Sequence, residues 1–297
     1  MDGESVRTSG RRASTRGRSS LQRLERLRHA AHRAADPVLH RASSAVPGVL
    51  EGLVDGLFPP LCPLCREVPL RGRTTCAAHA LPDPALGPRG PRCGRCARAL
   101  PPMLADGDRC AACRRRAPAF HRLVVLGDYR DDAGLREWIL ALKHGGRRDL
   151  APWLGQALAR RLGTVVSRGV LLVPVPLHPL RRFERGYDQA RLLAEATAEG
   201  AGSRAVRLLA RTRWTPAQGA LGSVSRRANV RDAFAPARWF GVELAGVAVW
   251  LVDDVVTSGA TLDACARALH GLGARRVSAL ALARAGERAD RDHGEGA

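Results

Sequence analysis

An α/β domain built on a mainly parallel sheet, with helices on both faces and a small metal-stapled module ahead of it, is the fold class the sequence predicts. Three observations predict it. Seven of the eight cysteines lie between Cys62 and Cys113 in paired two-residue spacings. From about residue 119 onward, short apolar runs rich in Val and Leu alternate with stretches of helical periodicity. One of those runs, "VWLVDD", ends in two adjacent carboxylates ahead of a small, hydroxylic turn, and strand ends of that kind face the ligand crevice of open α/β sheets. The 297 residues allow one good-sized core plus a smaller unit, at roughly 100–200 residues per domain.

Residues 1–45 are expected to form a disordered basic tail. "MDGESVRTSGRRASTRGRSS" is rich in Arg and Ser and lacks the apolar stretch of an export signal, and nothing hydrophobic follows Arg11 and Arg12. The formal net charge of +20 suits a polyanionic partner. Yet Lys143 is the sole lysine, and Ala, Gly and Arg are abundant throughout, so a compositional bias accounts for the charge as well as a selected basic face does. No run of about 18 apolar residues occurs, so no transmembrane span is expected.

Residues 50–118 read as the small module. After "VPGVLEGLVDGLFPP", aliphatic periodicity almost disappears and Pro, Gly and Arg take over, a profile that cannot build a core without staples. The pairs are Cys62 with Cys65, Cys76 with His79, Cys93 with Cys96 and Cys110 with Cys113, each separated by two residues. Such a knuckle presents two ligands to one tetrahedral ion, so four pairs serve two zinc ions whose sites are closed and structural. Cysteine alone leaves one ligand orphaned; His79 balances the set, although a histidine in "CAAHALP" equally suits a surface. Sequential pairing joins the first two knuckles on one ion and the last two on the other, and a crossed pairing satisfies the spacing too. Metal thiolates rather than disulfides point to a reducing, cytoplasmic setting. Cys265, alone in a helical stretch, reads as a small core residue.

Residues 119–284 carry the α/β alternation, and 285–297 read as a second disordered tail. "RLVVLGDY" predicts a strand, "DAGLREWILALK" and "DLAPWLGQALARRLG" two amphipathic helices, and "VLLVPVP" a buried strand. "YDQARLLAEATA" is helical with Asp188 near its start; "VRLLAR" and "VAVWLVDD" add strands, "ATLDACARALHGLG" a glycine-closed helix and "VSALALAR" a last strand. Residues 212–235 interrupt the rhythm at a length that usually marks a functional lid or disorder.

The carboxylate-bearing strand states its chemistry. Asp253 and Asp254 can accept hydrogen bonds from the vicinal hydroxyls of a ribose. The turn through Val256, Thr257, Ser258, Gly259, Ala260 and Thr261 offers backbone N–H groups and hydroxyls to a phosphate at a helix N-terminus. Acids beside an anion cradle repel a bare polyphosphate and suit a sugar phosphate.

"VWLVDDVVTSGAT", residues 249–261, resembles the motif by which type I phosphoribosyltransferases bind phosphoribosyl pyrophosphate, PRPP. With "LVPVPLHPLRRFERGYDQARLLAEA", "LARTRWTPAQGALGSVSRRANVRDAF" and the cysteine knuckles, the chain resembles the ComF family of competence-associated proteins over about residues 50–284. The resemblance implies a type I phosphoribosyltransferase-like fold, PRPP and Mg2+ as ligands, and a role in DNA uptake. The turn after "VPVP" ends a second strand at the same crevice, so His178, Arg181, Arg182 and Arg185 around Gly186 can hold the pyrophosphate end, where arginine suits bidentate phosphate contact. By the resemblance, Gln218, Arg226, Arg227 and Asn229 belong to a hood that closes over the sugar. Lys143 is a further candidate, as a required compact amine or as a chance of composition. In 6-oxopurine phosphoribosyltransferases an acid stands where Thr257 stands here, so that acceptor class is disfavoured. The alternatives to transfer are a non-catalytic PRPP sensor, a factor handling single-stranded DNA beside the competence machinery, and a structural zinc adaptor. A second copy of the chain is also an expected partner.

Overall fold

The computed structural model describes residues 61–67, 75–166, 170–177, 179–212, 233–237 and 244–286. Within them lie helices α1 (Ala111–Arg115), α2 (Ala133–His144), α3 (Ala151–Gly163), α4 (Pro179–Arg185), α5 (Gln189–Gly200) and α6 (Ala260–Gly271). The strands are β1 (Leu123–Asp128), β2 (Leu171–Pro174), β3 (Arg204–Ala205), β4 (Leu209–Arg211), β5 (Phe234–Pro236), β6 (Ala248–Val256) and β7 (Arg276–Arg284). Five of them form one sheet in the order β1-β7-β6-β2-β3, with every pairing parallel. The expected tails, 1–45 and most of 285–297, and the body of the long loop lie outside the described residues.

A parallel sheet covered on both sides needs strands that are apolar on both faces. All six residues of β1 are buried, as is every residue of β7 after Arg276. The pleat then sorts them. Val124, Leu126, Leu172, Trp250, Val252 and Leu280 face a layer made by α2, α3 and α5, with Trp138, Leu154, Leu158 and Leu193 at its centre. Leu123, Val125, Val173, Val249, Leu251 and Ala279 face α6, Phe234 and the cysteines Cys93, Cys96, Cys110 and Cys113. Each fully buried Leu or Val contributes about 1.5–3 kcal/mol relative to exposure.

Local signals set the covering helices. In α2 the buried residues Leu135, Trp138, Ile139 and Leu142 follow the helical period, so one stripe faces the sheet. Asp188 caps α5 by accepting from the backbone N–H of Arg191 at 3.1 Å. Helix α3 lies so close to α5 that a Cβ on Gly155 would collide with the Cβ of Ala196. Glycine is required there for space.

Strand β2 leads outward to β3, whereas β6 leads the other way to β7, so the chain reverses direction across the sheet between β2 and β6. Helix α5, after β2, covers one face and α6, after β6, the other. That reversal opens a crevice beyond the C-terminal strand ends.

Two elements depart from the sequence reading. "VRLLAR" touches the main sheet only at Val206, whose N–H donates to the Leu172 carbonyl at 2.8 Å; its strand, Leu209–Arg211, pairs antiparallel with β5 in a separate two-stranded ribbon. Leu208 and Leu209 find their apolar partners on the α6 side rather than at the sheet edge. Helix α4 falls where a turn was expected, because "PLRRFER" has no apolar period to announce it and Phe183 is solvent-exposed.

Candidate functional site: a carboxylate cleft and two cysteine-rich centres

The paired acids owe their position to unequal strand lengths. Strand β2 stops at Pro174, opposite Val252, and the last link is the Val175 N–H donating to the Val252 carbonyl at 2.9 Å. Strand β6 continues along β7 to Val256. Asp253 and Asp254 therefore lie within β6, not at its end, and reach a cleft because the neighbouring strand has finished.

The pleat separates the two acids. Asp254 turns toward the α2–α5 layer, where Lys143 Nζ stands 3.1 Å from its Oδ1 and Gln189 Nε2 donates to its Oδ2 at 3.1 Å. The Val255 N–H also donates to Oδ1 at 2.5 Å. Three donors thus hold Asp254, which is 5% exposed. Asp253 is less enclosed and accepts from the backbone N–H of Asp254 at 2.9 Å, and its charge reaches Cys265 in α6. Burial, together with the charge of Asp254, pushes the Asp253 carboxyl up to about 8, against the opposing pull of Lys143. Both acids, Lys143, Arg185, Gln189 and Thr261 line one cleft of ≈ 190 Å³.

The turn after β6 is shaped for an anion. Gly259 has φ of 79°, a left-handed conformation that a side chain rarely adopts, and it opens α6 without any side-chain cap. Ser258 Oγ accepts from the Ala260 N–H at 3.3 Å, and Thr257 is exposed. Amides of the first helical turn have no partner inside the helix and favour negative charge. Asp263 anchors the helix from behind by accepting from the Ala119 N–H at 2.6 Å. On the far side, Ser258, Gly259 and Ala260 share a ≈ 50 Å³ cavity with Arg98, Arg116 and Arg284. The sequence reading missed these arginines, two of which come from the knuckle region.

The arginine cluster expected after β2 is divided. Arg185 lines the carboxylate cleft, while Arg182 lines an adjoining cavity of ≈ 630 Å³ with Arg207, Arg211 and Asp188. Arg181 lies in α4. Its side chain and the residues His178, Gln218, Arg226, Arg227 and Asn229 lie outside what is described.

The cysteine pairs assemble sequentially into two groups. Cys62, Cys65, Cys76 and His79 form one and Cys93, Cys96, Cys110 and Cys113 the other, with ligand atoms in each within 4.8 Å of one another. Each group could hold a metal ion. Two thiolates bound at about 2.3 Å to a tetrahedral zinc stand about 3.8 Å apart, and Cys96 Sγ is 3.7 Å from Cys110 Sγ. His79 turns Nδ1 toward Cys76 and Cys62, at 3.1 and 3.7 Å. Its Nε2 stands 3.0 Å from Glu137 Oε2, and its carbonyl accepts from Trp138 Nε1 at 2.9 Å. A carboxylate on the outer ring nitrogen is the usual orienting partner of a metal-bound histidine. Nothing in the sequence pointed to Glu137. In the second group, a hydrogen bond from Cys113 holds the Cys96 thiol down at about 4, against the effect of burial and with the charge of Arg284 assisting.

A mainly parallel sheet with paired acids at its reversal point and two cysteine-rich groups ahead of it defines an α/β protein with a ligand crevice and two candidate metal centres. Competence protein F of Haemophilus influenzae is 29% identical over 205 residues, covering 66% of this chain and 85% of that protein. DNA utilization protein YhgH of Escherichia coli O157:H7 is 30% identical over 237 residues, covering 76% and 97%. The chain belongs to the family of these two proteins, the ComF family. No family model matches the chain. Among solved structures, a glutamine PRPP amidotransferase from B. subtilis complexed with ADP and GMP is 23% identical, covers 48% of this chain and 30% of its own, and overlaps with a TM-score of 0.32. TT1426 from Thermus thermophilus is 17% identical, covers 48% and 85%, and has a TM-score of 0.28. Overlaps that slight add nothing to the topology described above.

Proposed function

We propose that the crevice binds PRPP with Mg2+ and transfers its phosphoribosyl group to an acceptor, with two structural zinc ions in the cysteine-rich groups. The observation that carries the reading is the pair of carboxylates in a cleft that Thr261 of α6 also lines, with the left-handed turn at Gly259 opening that same helix. Asp253 accepts from the ribose hydroxyls, and Asp254, held by Lys143 and Gln189, supports it from behind. The turn from Val256 through Thr257, Ser258, Gly259 and Ala260 to Thr261 cradles the 5'-phosphate. Arg185 attracts the pyrophosphate end. The ligand's own oxygens and the cleft carboxylates are hard donors of the kind Mg2+ takes, and the ion supplies neutralisation of leaving-group charge. The chain's contribution is placement and exclusion of water. Calorimetric titration with PRPP and Mg2+ tests the reading, and unchanged binding in Asp253→Asn with Asp254→Asn would sink it. Binding without pyrophosphate release across an acceptor panel would favour a sensor.

A second reading is contact with single-stranded DNA, in line with the relatives' names. It is favoured by arginines that converge below the sheet: burial and then the charges of Arg276, Arg95, Arg122 and Arg109 hold His121 below its ordinary pKa. Retention of single-stranded DNA that fades steeply with salt, and is lost on replacing these arginines, is the expected outcome.

A further inference from the structure

The division of the arginines assigns two neighbouring sites different chemistry. Arg185 stands with Lys143 and the acids in the narrow cleft. Arg182, Arg207 and Arg211 stand in the wider cavity of ≈ 630 Å³, which shares Pro176, Leu177 and Arg211 with the cleft and so opens onto it. That volume is within the range of small-molecule sites. The remaining walls are apolar: Pro174, Leu177, Leu209 and the ring of Phe183, a residue 87% exposed. Asp188 is the one carboxylate lining it. Its Oδ1 is committed to the cap of α5, its other oxygen has no partner among the described residues, and it feels the charges of Arg207 and Arg182.

We propose that this cavity seats the acceptor, and that the acceptor is a planar nitrogen heterocycle carrying a carboxylate. The proposal rests on the PRPP reading of the cleft and names the acceptor class for it. Guanidinium groups take a carboxylate in a bidentate, in-plane fork, while apolar walls and an open aromatic face take a flat ring. A pyrophosphate gains nothing from those walls; it is met by Arg185 at the cleft. In the transfer, a ring-nitrogen lone pair forms the bond to the anomeric carbon as the bond from that carbon to the pyrophosphate oxygen breaks. The breaking bond's electron pair leaves with pyrophosphate. A pyridine-type nitrogen releases no proton, and an N–H nitrogen gives its proton to the uncommitted oxygen of Asp188.

The test uses matched probes that share a ring and differ in charge: nicotinate against nicotinamide, and orotate against uracil. Each is titrated into the full chain with and without PRPP and Mg2+, and pyrophosphate release is followed. At least one carboxylate is expected to bind about tenfold more tightly than its neutral partner, the worth of one charge-assisted contact. Arg207→Gln is expected to remove that preference and leave PRPP affinity unchanged. Equal affinity within both pairs overturns the proposal, as does retention of the preference in Arg207→Gln. So does displacement of the bound carboxylate by pyrophosphate, with pyrophosphate affinity lost in Arg207→Gln, which would make the cavity the leaving-group site. PRPP titration of the unsubstituted chain separates the two readings: its failure removes the donor reading, while the titrations without PRPP still report on the cavity.

Discussion

Lys143 Nζ lies 3.1 Å from Asp254 Oδ1, joining the only lysine of the chain, at the end of α2, to the more buried acid of the motif on β6. An arginine-rich chain has used a compact ammonium where an acid must be held inside a narrow cleft, and an arginine's wider planar head is not its equivalent.

Lys143→Met is expected to destabilise the fold by about 1–3 kcal/mol, less than the full cost of orphaning a buried charge because both partners keep some solvent. Lys143→Met combined with Asp254→Asn should recover most of that loss. Urea unfolding of the two variants measures it, and additive losses would remove the pairing as the cause.

The raised pKa of Asp253 gives the pH dependence a definite sign. Its folded value, about 8, exceeds its ordinary 3.8, so the folded state keeps the proton longer. The favourable contribution is complete below the unfolded value and is lost as pH rises from about 4 through 8. Asp253→Asn should therefore flatten the decline in stability across that window, as read from melting temperatures at intervals of pH. For PRPP, which requires the ionised acid, affinity should rise toward pH 8 in the native chain and respond less in Asp253→Asn.

Glu137 should behave as an orienting partner of the first metal centre. Glu137→Ala is expected to weaken metal retention there by about 10–100-fold, as lost outer-shell partners usually do, and to leave the all-cysteine centre untouched. Chelator competition with elemental analysis separates the two. Two zinc ions per chain are expected in the native protein, and one that is indifferent to His79→Ala would remove the first centre.

Gly155→Ala should cost about 1–3 kcal/mol by overpacking, because the new methyl runs into the Cβ of Ala196 where α3 crosses α5. Ala196→Gly in the same chain should restore part of the loss, measured by urea unfolding.

What could be read from the chain is what is local in it. The cysteine knuckles, the parallel strands and the small turn at Gly259 are each written within a few consecutive residues, and their periods and spacings survive folding. Glu137, Gln189, Arg207 and Arg116 were not legible, since each reaches its site from an element remote in sequence. Gln189 had only its place beside the helix-capping Asp188 to distinguish it. Helix α4 was invisible because an exposed helix leaves no apolar period.

The sequence by itself determined the α/β class, the four two-ligand knuckles and the pair of acids, because hydrophobic period and ligand spacing act over short range, while the sequential pairing of the knuckles came from the fold. Only the tertiary structure decided that those acids are not equivalent. A neighbouring strand four residues long ends at Pro174 and lets both acids line one cleft, and the pleat turns Asp254 into contact with Lys143 while Asp253 stays the less buried of the two. It also sent Arg182 and Arg185 to different cavities. Such outcomes depend on which surfaces meet across the sheet, and no single stretch of the chain contains that information.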